Sequence, residues 1–254
     1  MRCFPRTIKK KAWPLFWKNA SPNGKASEVA QLTSPGSMLL TDSSTVTLLY
    51  TANLRGDLAL LPRLFTLIQH ERRASGGPVL LLDLGDTCSV ESWVCRATQG
   101  RAPFLVLDGM GYDAVLIGGP ERVPIPPPSL RVLAANMVMA VVVWNRARSL
   151  TKRGITLTIA PGNAPPPDTS PAIRVDRSTH ALPEAHDPVV TLGDVAHGHL
   201  ARVDLAWPEW TVQSARLLAV SPDVPADPTI AALVEFVESE ARDYAHHQQE
   251  DPRA

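Results

Sequence analysis

The chain has 254 residues, 44% hydrophobic and 20% charged, enough for one well-buried domain of about 200 residues plus tails. Its 25 Lys and Arg balance 25 Asp and Glu, so no global field draws it to nucleic acid or to an anionic membrane. No run approaches the roughly 20 apolar residues of a membrane span, which excludes a transmembrane segment.

Residues 1–44 are basic and then rich in Ser, Pro, Gly and Asn, with no hydrophobic period, and read as a tail. No secretory apolar core follows Lys9-Lys10-Lys11. That basic cluster beside Trp13, Phe16 and Trp17 suits peripheral contact with a membrane surface or a partner. The cysteines, Cys3, Cys88 and Cys95, form no CxxC metal site. Cys88 and Cys95 can bridge; read instead as buried thiols, they place the chain in a reducing, cytoplasmic setting.

The domain spans 45–245, with a polar tail at 246–254. Val46 to Thr51 predicts a first strand, and Ala52 to Gly56 a turn. Leu60, Leu61, Leu64, Leu67 and Ile68 recur at helical spacing, and the helix runs to about Arg73. Gly76-Gly77-Pro78 breaks it. The run Leu80-Leu81-Leu82-Asp83-Leu84 lacks polar alternation, as a strand buried on both faces does, and stops at Gly85-Asp86. Asp86 therefore arrives at a strand's carboxyl end, where open α/β sheets carry their ligands. Helices are expected over 92–98 and 102–110, then a strand over 114–117 ended by Gly118-Gly119-Pro120. This alternation predicts parallel βαβ units.

Pro124 to Pro128 reads as an extended connection and Val132 to Asn136 as a strand. Segments 138–144 and 154–159 are strand-like, and 161–171 is proline-rich and irregular. Strands at 189–192, 200–207 and 210–220 make the second half β-rich, and a helix over 227–244 closes the domain. Trp93, Trp144, Trp207 and Trp210 lack interleaved basic residues, so they read as core or edge aromatics and not as a base-stacking platform. His197 and His199 are placed on one side by alternation, in a solvated loop.

The turns VTLLYTANLRGDL, VLLLDLGDT, GYDAVLIGGPE and RVLAANM, in this order, resemble those of the calcineurin-like metallophosphoesterases, 5′-nucleotidase branch, over about residues 45–207. The resemblance implies a four-layer αββα sandwich, two mixed sheets flanked by helices. It also implies a pair of divalent ions such as Mn, Fe or Zn, held by carboxylate, amide and imidazole side chains. Laid on this chain, the motif puts Asn53 at the first Asp and Arg55 at the next His, and keeps Asp86 at the bridging Asp. Gly119 stands at the amide ligand and Pro120 at the leaving-group His. Glu121 and Asn136 are retained at supporting positions. The closing Gly-His-x-His falls on Arg177-Ser178-Thr179-His180, with Ser178 at the first His.

At ligand positions that leaves Asp86 and His180, with Asn53 a poor third, too few for a dinuclear centre. An arginine cannot ligate a metal. The residual pocket of Asn53, Arg55, Asp86, Gly119, Glu121, Asn136, Ser178 and His180 predicts a catalytically degenerate protein without a cofactor, acting as a structural or interaction subunit with another protein as partner. Arg55 is expected either to pair with Asp86 or to bind a small phosphate or carboxylate. The alternative is a weak or mononuclear metal-dependent phosphoesterase holding its ion through Asp86 and His180.

Overall fold

The computed structural model describes residues 44–117, 125, 127–162, 164–165, 171–177, 183–186 and 189–250. The expected tail over 1–44 lies outside them except for Ser44, where the first strand begins.

In chain order the elements are β1 (Ser44–Thr51), a 3-10 turn (Leu58–Leu60), α1 (Leu61–Ala74), β2 (Val79–Asp83), α2 (Trp93–Ala97), α3 (Arg101–Gly109), β3 (Ala114–Ile117), α4 (Pro127–Asn136) and β4 (Ala140–Val143). There follow β5 (Arg148–Lys152), β6 (Ile155–Pro161), β7 (Ala172–Val175), β8 (Glu184–His186), β9 (Val189–Leu192), β10 (His199–Trp207), β11 (Thr211–Ala219) and α5 (Pro228–Glu250).

They build two mixed sheets, one of six strands in the order β11-β10-β1-β2-β3-β4 and one of five in the order β5-β6-β7-β9-β8. The βαβ reading holds: β1 to β4 run parallel, and β10 and β11 extend that sheet antiparallel on the far side of β1. In β2 all five residues are buried, because both faces of the strand are covered. Leu81 and Val79 face the helices, while Leu80 and Leu82 face the second sheet. The same alternation runs through Leu49 against Leu48, and Val115 against Leu116. Every described helix contributes to the first of these two cores, and the second fills the space between the sheets with Leu157, Ile159, Ile173, Val190 and Leu192 from the smaller one. The two mixed sheets flanked by helices are thus those the sequence predicts.

Three local expectations are corrected. Residues 132–136, expected as a strand, are the end of α4. A proline pair is tolerated in a helix's first turn, where no intrahelical N–H bond is due, so it starts this helix instead of an extended link. Cys88 and Cys95, read as thiols, are joined in a disulfide, Cα atoms 5.9 Å apart. The closing helix continues to Glu250, beyond the point where the polar tail was placed. At its start Asp227 Oδ1 accepts the N–H groups of Thr229 (2.9 Å) and Ile230 (3.0 Å), as a helix cap does. The hairpin β5–β6, missed in the sequence, turns through Arg153 and Gly154, both at positive φ (54° and 80°).

Candidate functional site

The candidate site is a buried polar cluster at the carboxyl ends of β1, β2, β7 and β9. Two loops make its floor. Residues 52–57 after β1 lie against residues 84–88 after β2, zipped by backbone bonds from Asn53 N to Gly85 O (3.0 Å), Arg55 N to Asp86 O (2.8 Å) and Gly56 N to Thr87 O (2.8 Å). Asn53, Arg55 and Asp86 all have φ between 53° and 56°, a region disfavoured for residues with a Cβ. Such residues persist where the surroundings over-determine them, and here three further contacts do so.

The first is a cation. Arg177, just after β7, directs its guanidinium into the pocket with its side chain only 6% exposed. Nη1 donates to Asp86 Oδ2 (2.5 Å), Nη2 to Asn53 Oδ1 (2.7 Å) and Nε to Asp194 Oδ1 (3.0 Å). Burial works against the charged guanidinium, but Asp86 and Asp194 outweigh it and raise its pKa above the ordinary value. The second is Asn53, whose Nδ2 donates to both oxygens of Asp194 (3.0 Å each) and to Val195 O (2.8 Å). An amide fits here because it must donate to one neighbour and accept from another; a carboxylate would set a third negative charge beside Asp86 and Asp194. The third is Asp83, at the end of β2 and fully buried. It accepts from Thr51 Oγ1 (2.9 Å), Thr87 Oγ1 (2.5 Å) and Gly85 N (3.1 Å). Burial pushes its carboxyl up to about 6, against those hydrogen bonds and the charge of Arg177.

The sequence-predicted residues separate accordingly. Asn53 and Asp86 meet in the pocket. Arg55 is exposed and is not the cation paired with Asp86: its left-handed backbone joins the zipper while Arg177 supplies the guanidinium. Asn136 is exposed, its amide folded onto Val132 O of its own helix (2.7 Å). Gly119, Pro120, Glu121, Ser178 and His180 lie outside the described residues. His197 pairs with Asp57 (3.3 Å) at the rim. Among the described residues no group of three or more His, Cys, Asp or Glu could hold a metal ion, and no helix is long and apolar enough to cross a membrane.

Asp194 was missed, although the sequence carries its signal. Val189-Val190-Thr191-Leu192-Gly193-Asp194 repeats the pattern of Leu82-Asp83-Leu84-Gly85-Asp86, a strand stopped by Leu-Gly-Asp. The motif gives Arg177 only its first position, and no role. Its place at the end of a strand whose parallel neighbour β9 ends at Leu192 brings it beside Asp194.

No protein-family model matches the chain, and no curated protein does. Among solved structures it resembles the sulfate thiohydrolase SoxB of Thermus thermophilus, determined in complex with glycerol, with a TM-score of 0.57, 13% identity and coverage of 80% of this chain and 62% of that one. Looser likenesses are to the protein TT1561, also of Thermus thermophilus (TM-score 0.43, 14% identity, 69% and 99% coverage), and to a novel phosphatase from Mycoplasma pneumoniae (0.46, 8%, 75% and 97%). The chain therefore spans under two thirds of the SoxB chain. Together with the two sheets and the order of the strand-end turns, the likeness shows that this chain has the calcineurin-like metallophosphoesterase fold.

Proposed function

We propose that the chain is a catalytically degenerate protein of this fold, in which the guanidinium of Arg177 takes the part of a bound cation and the molecule serves as a structural or interaction subunit. One observation carries the reading: oxygens of Asp86, Asn53 and Asp194 converge on one buried guanidinium. A divalent ion entering that point meets a fixed positive charge. At 4 Å and an effective dielectric constant near 20, two unit charges repel by about 4 kcal/mol, and a divalent ion doubles this. The same oxygens would have to leave charge-assisted hydrogen bonds to ligate it. The described residues therefore do not fit a metal centre in this arrangement. Val132 and Val138, 62% and 63% exposed, support a protein contact near α4. Exposed Arg55 at the rim supports a small phosphate or carboxylate ligand.

The rival reading, a weak or mononuclear phosphoesterase, is favoured by one observation: Asp86 and Asp194 sit together at strand ends, as two oxygen ligands would. Metal content after loading with Mn²⁺ or Zn²⁺ and desalting decides between them. The degenerate reading expects less than about a tenth of an equivalent and no phosphodiesterase activity. A full equivalent lost on Asp86→Ala, with activity lost alongside it, refutes that reading and establishes the rival.

A further inference from the structure

Beyond the Arg177 pocket, the feature with the most reach is the bridge between Cys88 and Cys95. It closes a ring between the loop that carries Asp86 and helix α2, seven residues apart in sequence. That ring rests on the other pocket loop. Gly56, at φ 78°, has no room for a Cβ: one built there would meet Cys95 Sγ and Ser92 Oγ at 2.6 Å each. Ser92 Oγ also lies 3.4 Å from Gly56 O, to which it donates. On its other side Gly56 gives its N–H to Thr87 O. The bridge and the backbone zipper thus grip one residue from two directions, and the left-handed Asn53, Arg55 and Asp86 lie in the gripped segments.

We propose that the redox state of Cys88 and Cys95 sets the geometry of the pocket. With the bridge closed, the segment 88–95 is pressed onto Gly56, and Asn53 and Asp86 are held on Arg177. With it opened by a dithiol, the segment relaxes, and the left-handed residues lose one of the contacts that keep them in place. The exchange is a thiol–disulfide reaction. A thiolate of the dithiol attacks one Sγ to form a mixed disulfide, and its second thiol resolves that intermediate. The dithiol leaves as a disulfide, and Cys88 and Cys95 gain two electrons and two protons as thiols. Both cysteines are buried, at 4% and 5% exposure, while Val90 between them is 55% exposed. Attack therefore requires an outward swing of the short stretch around Val90, which makes opening slow. Nothing in this depends on whether the pocket ever holds a metal.

Hydrogen exchange read by mass spectrometry on the intact chain tests it, in a Cys3→Ser background purified under oxidising conditions. A thiol count in denaturant should find none before dithiol treatment and two after; two beforehand overturns the proposal. Reduction should speed exchange of the amides of Asn53, Arg55 and Gly56 at least tenfold, while those of β6 in the other sheet stay unchanged. The Cys88→Ser/Cys95→Ser variant should reproduce the effect without dithiol. Faster exchange confined to 88–96, or a rise in β6 matching that at 53–56, overturns the proposal. The first outcome would leave the pocket independent of the bridge, and the second would make the bridge a staple for the whole fold.

Discussion

Replacing Arg177 by Met tests the central claim about the pocket. The substitution keeps much of the side chain's length and removes the guanidinium that Asp86, Asn53 and Asp194 share. Breaking a buried ion pair from one side costs about 3–5 kcal/mol, because the remaining charge stays buried without its partner. Asp86 and Asp194 each keep a further polar contact, and Asp194 is 13% exposed. The lower end of that range therefore applies, about 3 kcal/mol. With a guanidinium chloride m-value of about 4 kcal/mol/M, the unfolding midpoint should fall by about 0.75 M at unchanged slope. Arg177→Lys keeps the charge but loses the fork that reaches three acceptors at once, and should fall in between. A cycle with Asp86→Asn separates the pair from general disruption: the two substitutions together should cost at least about 1 kcal/mol less than the sum of each alone. A midpoint shift below about 0.2 M for Arg177→Met, or strict additivity in the cycle, would refute the view that this guanidinium holds the pocket together.

Asp83→Asn should become progressively more favourable relative to the parent as pH rises from about 4 to about 6. Burial raises the folded carboxyl from 3.8 to about 6, so the folded state binds the extra proton in that window and the parent loses stability through it. The difference between the two proteins should grow by about 3 kcal/mol, and a pH-independent difference in urea titrations would contradict this. Glu71 carries the opposite sign. Burial would raise its pKa, but hydrogen bonds from Arg202 and Arg216 hold it below the usual range, so its contribution is present at neutral pH and lost as pH falls through the acid range. Glu71→Gln should cost about 3 kcal/mol at pH 7, because Arg202 Nη1 at 2.8 Å and Arg216 Nη2 at 2.7 Å both depend on that carboxylate. The cost should shrink as pH falls below the ordinary carboxylate value of 4.5, read from thermal midpoints across pH. Gly56→Ala should cost at least about 2 kcal/mol from the left-handed backbone and the collision with Cys95; a loss under about 0.5 kcal/mol would show that the loop readily moves.

The framework was legible because burial on two sides leaves a plain mark. The unbroken apolar run before Gly85 gave β2, and the 3-4 spacing of Ile230, Leu233, Val234 and Val237 gave α5, whose Asp227 cap is a local signal as well. The smaller sheet was half-hidden. β8 has three residues and β7 four, too few for a period to declare itself. Residues 132–136 misled because Val132-Leu133-Ala134-Ala135 suits either a helix or a strand, and only the packing of Leu133 into the helical core decides it. At the site Asn53 and Asp86 meet, but the cation between them is Arg177 and not Arg55. The motif placed Arg55 beside Asp86, but Arg55 is exposed, and the partner came from a strand end 91 residues beyond Asp86. No periodicity reports which strand ends meet across a sheet.

Three residues with side chains hold left-handed backbone at the floor of this pocket, and each costs of order 1–2 kcal/mol relative to relaxed geometry. Gly at these positions would relieve that strain, so contacts elsewhere in the fold must offset it. The required shape is the one that turns Asp86 and Asn53 toward a common positive charge. Here a charge of the chain itself, the Arg177 guanidinium, meets both residues. A cation tethered by a side chain has no dissociation constant and responds neither to chelator nor to metal supply. Such a cluster ties the two loops together through the chain's own hydrogen bonds, and Arg177→Met tests how much of their order rests on it.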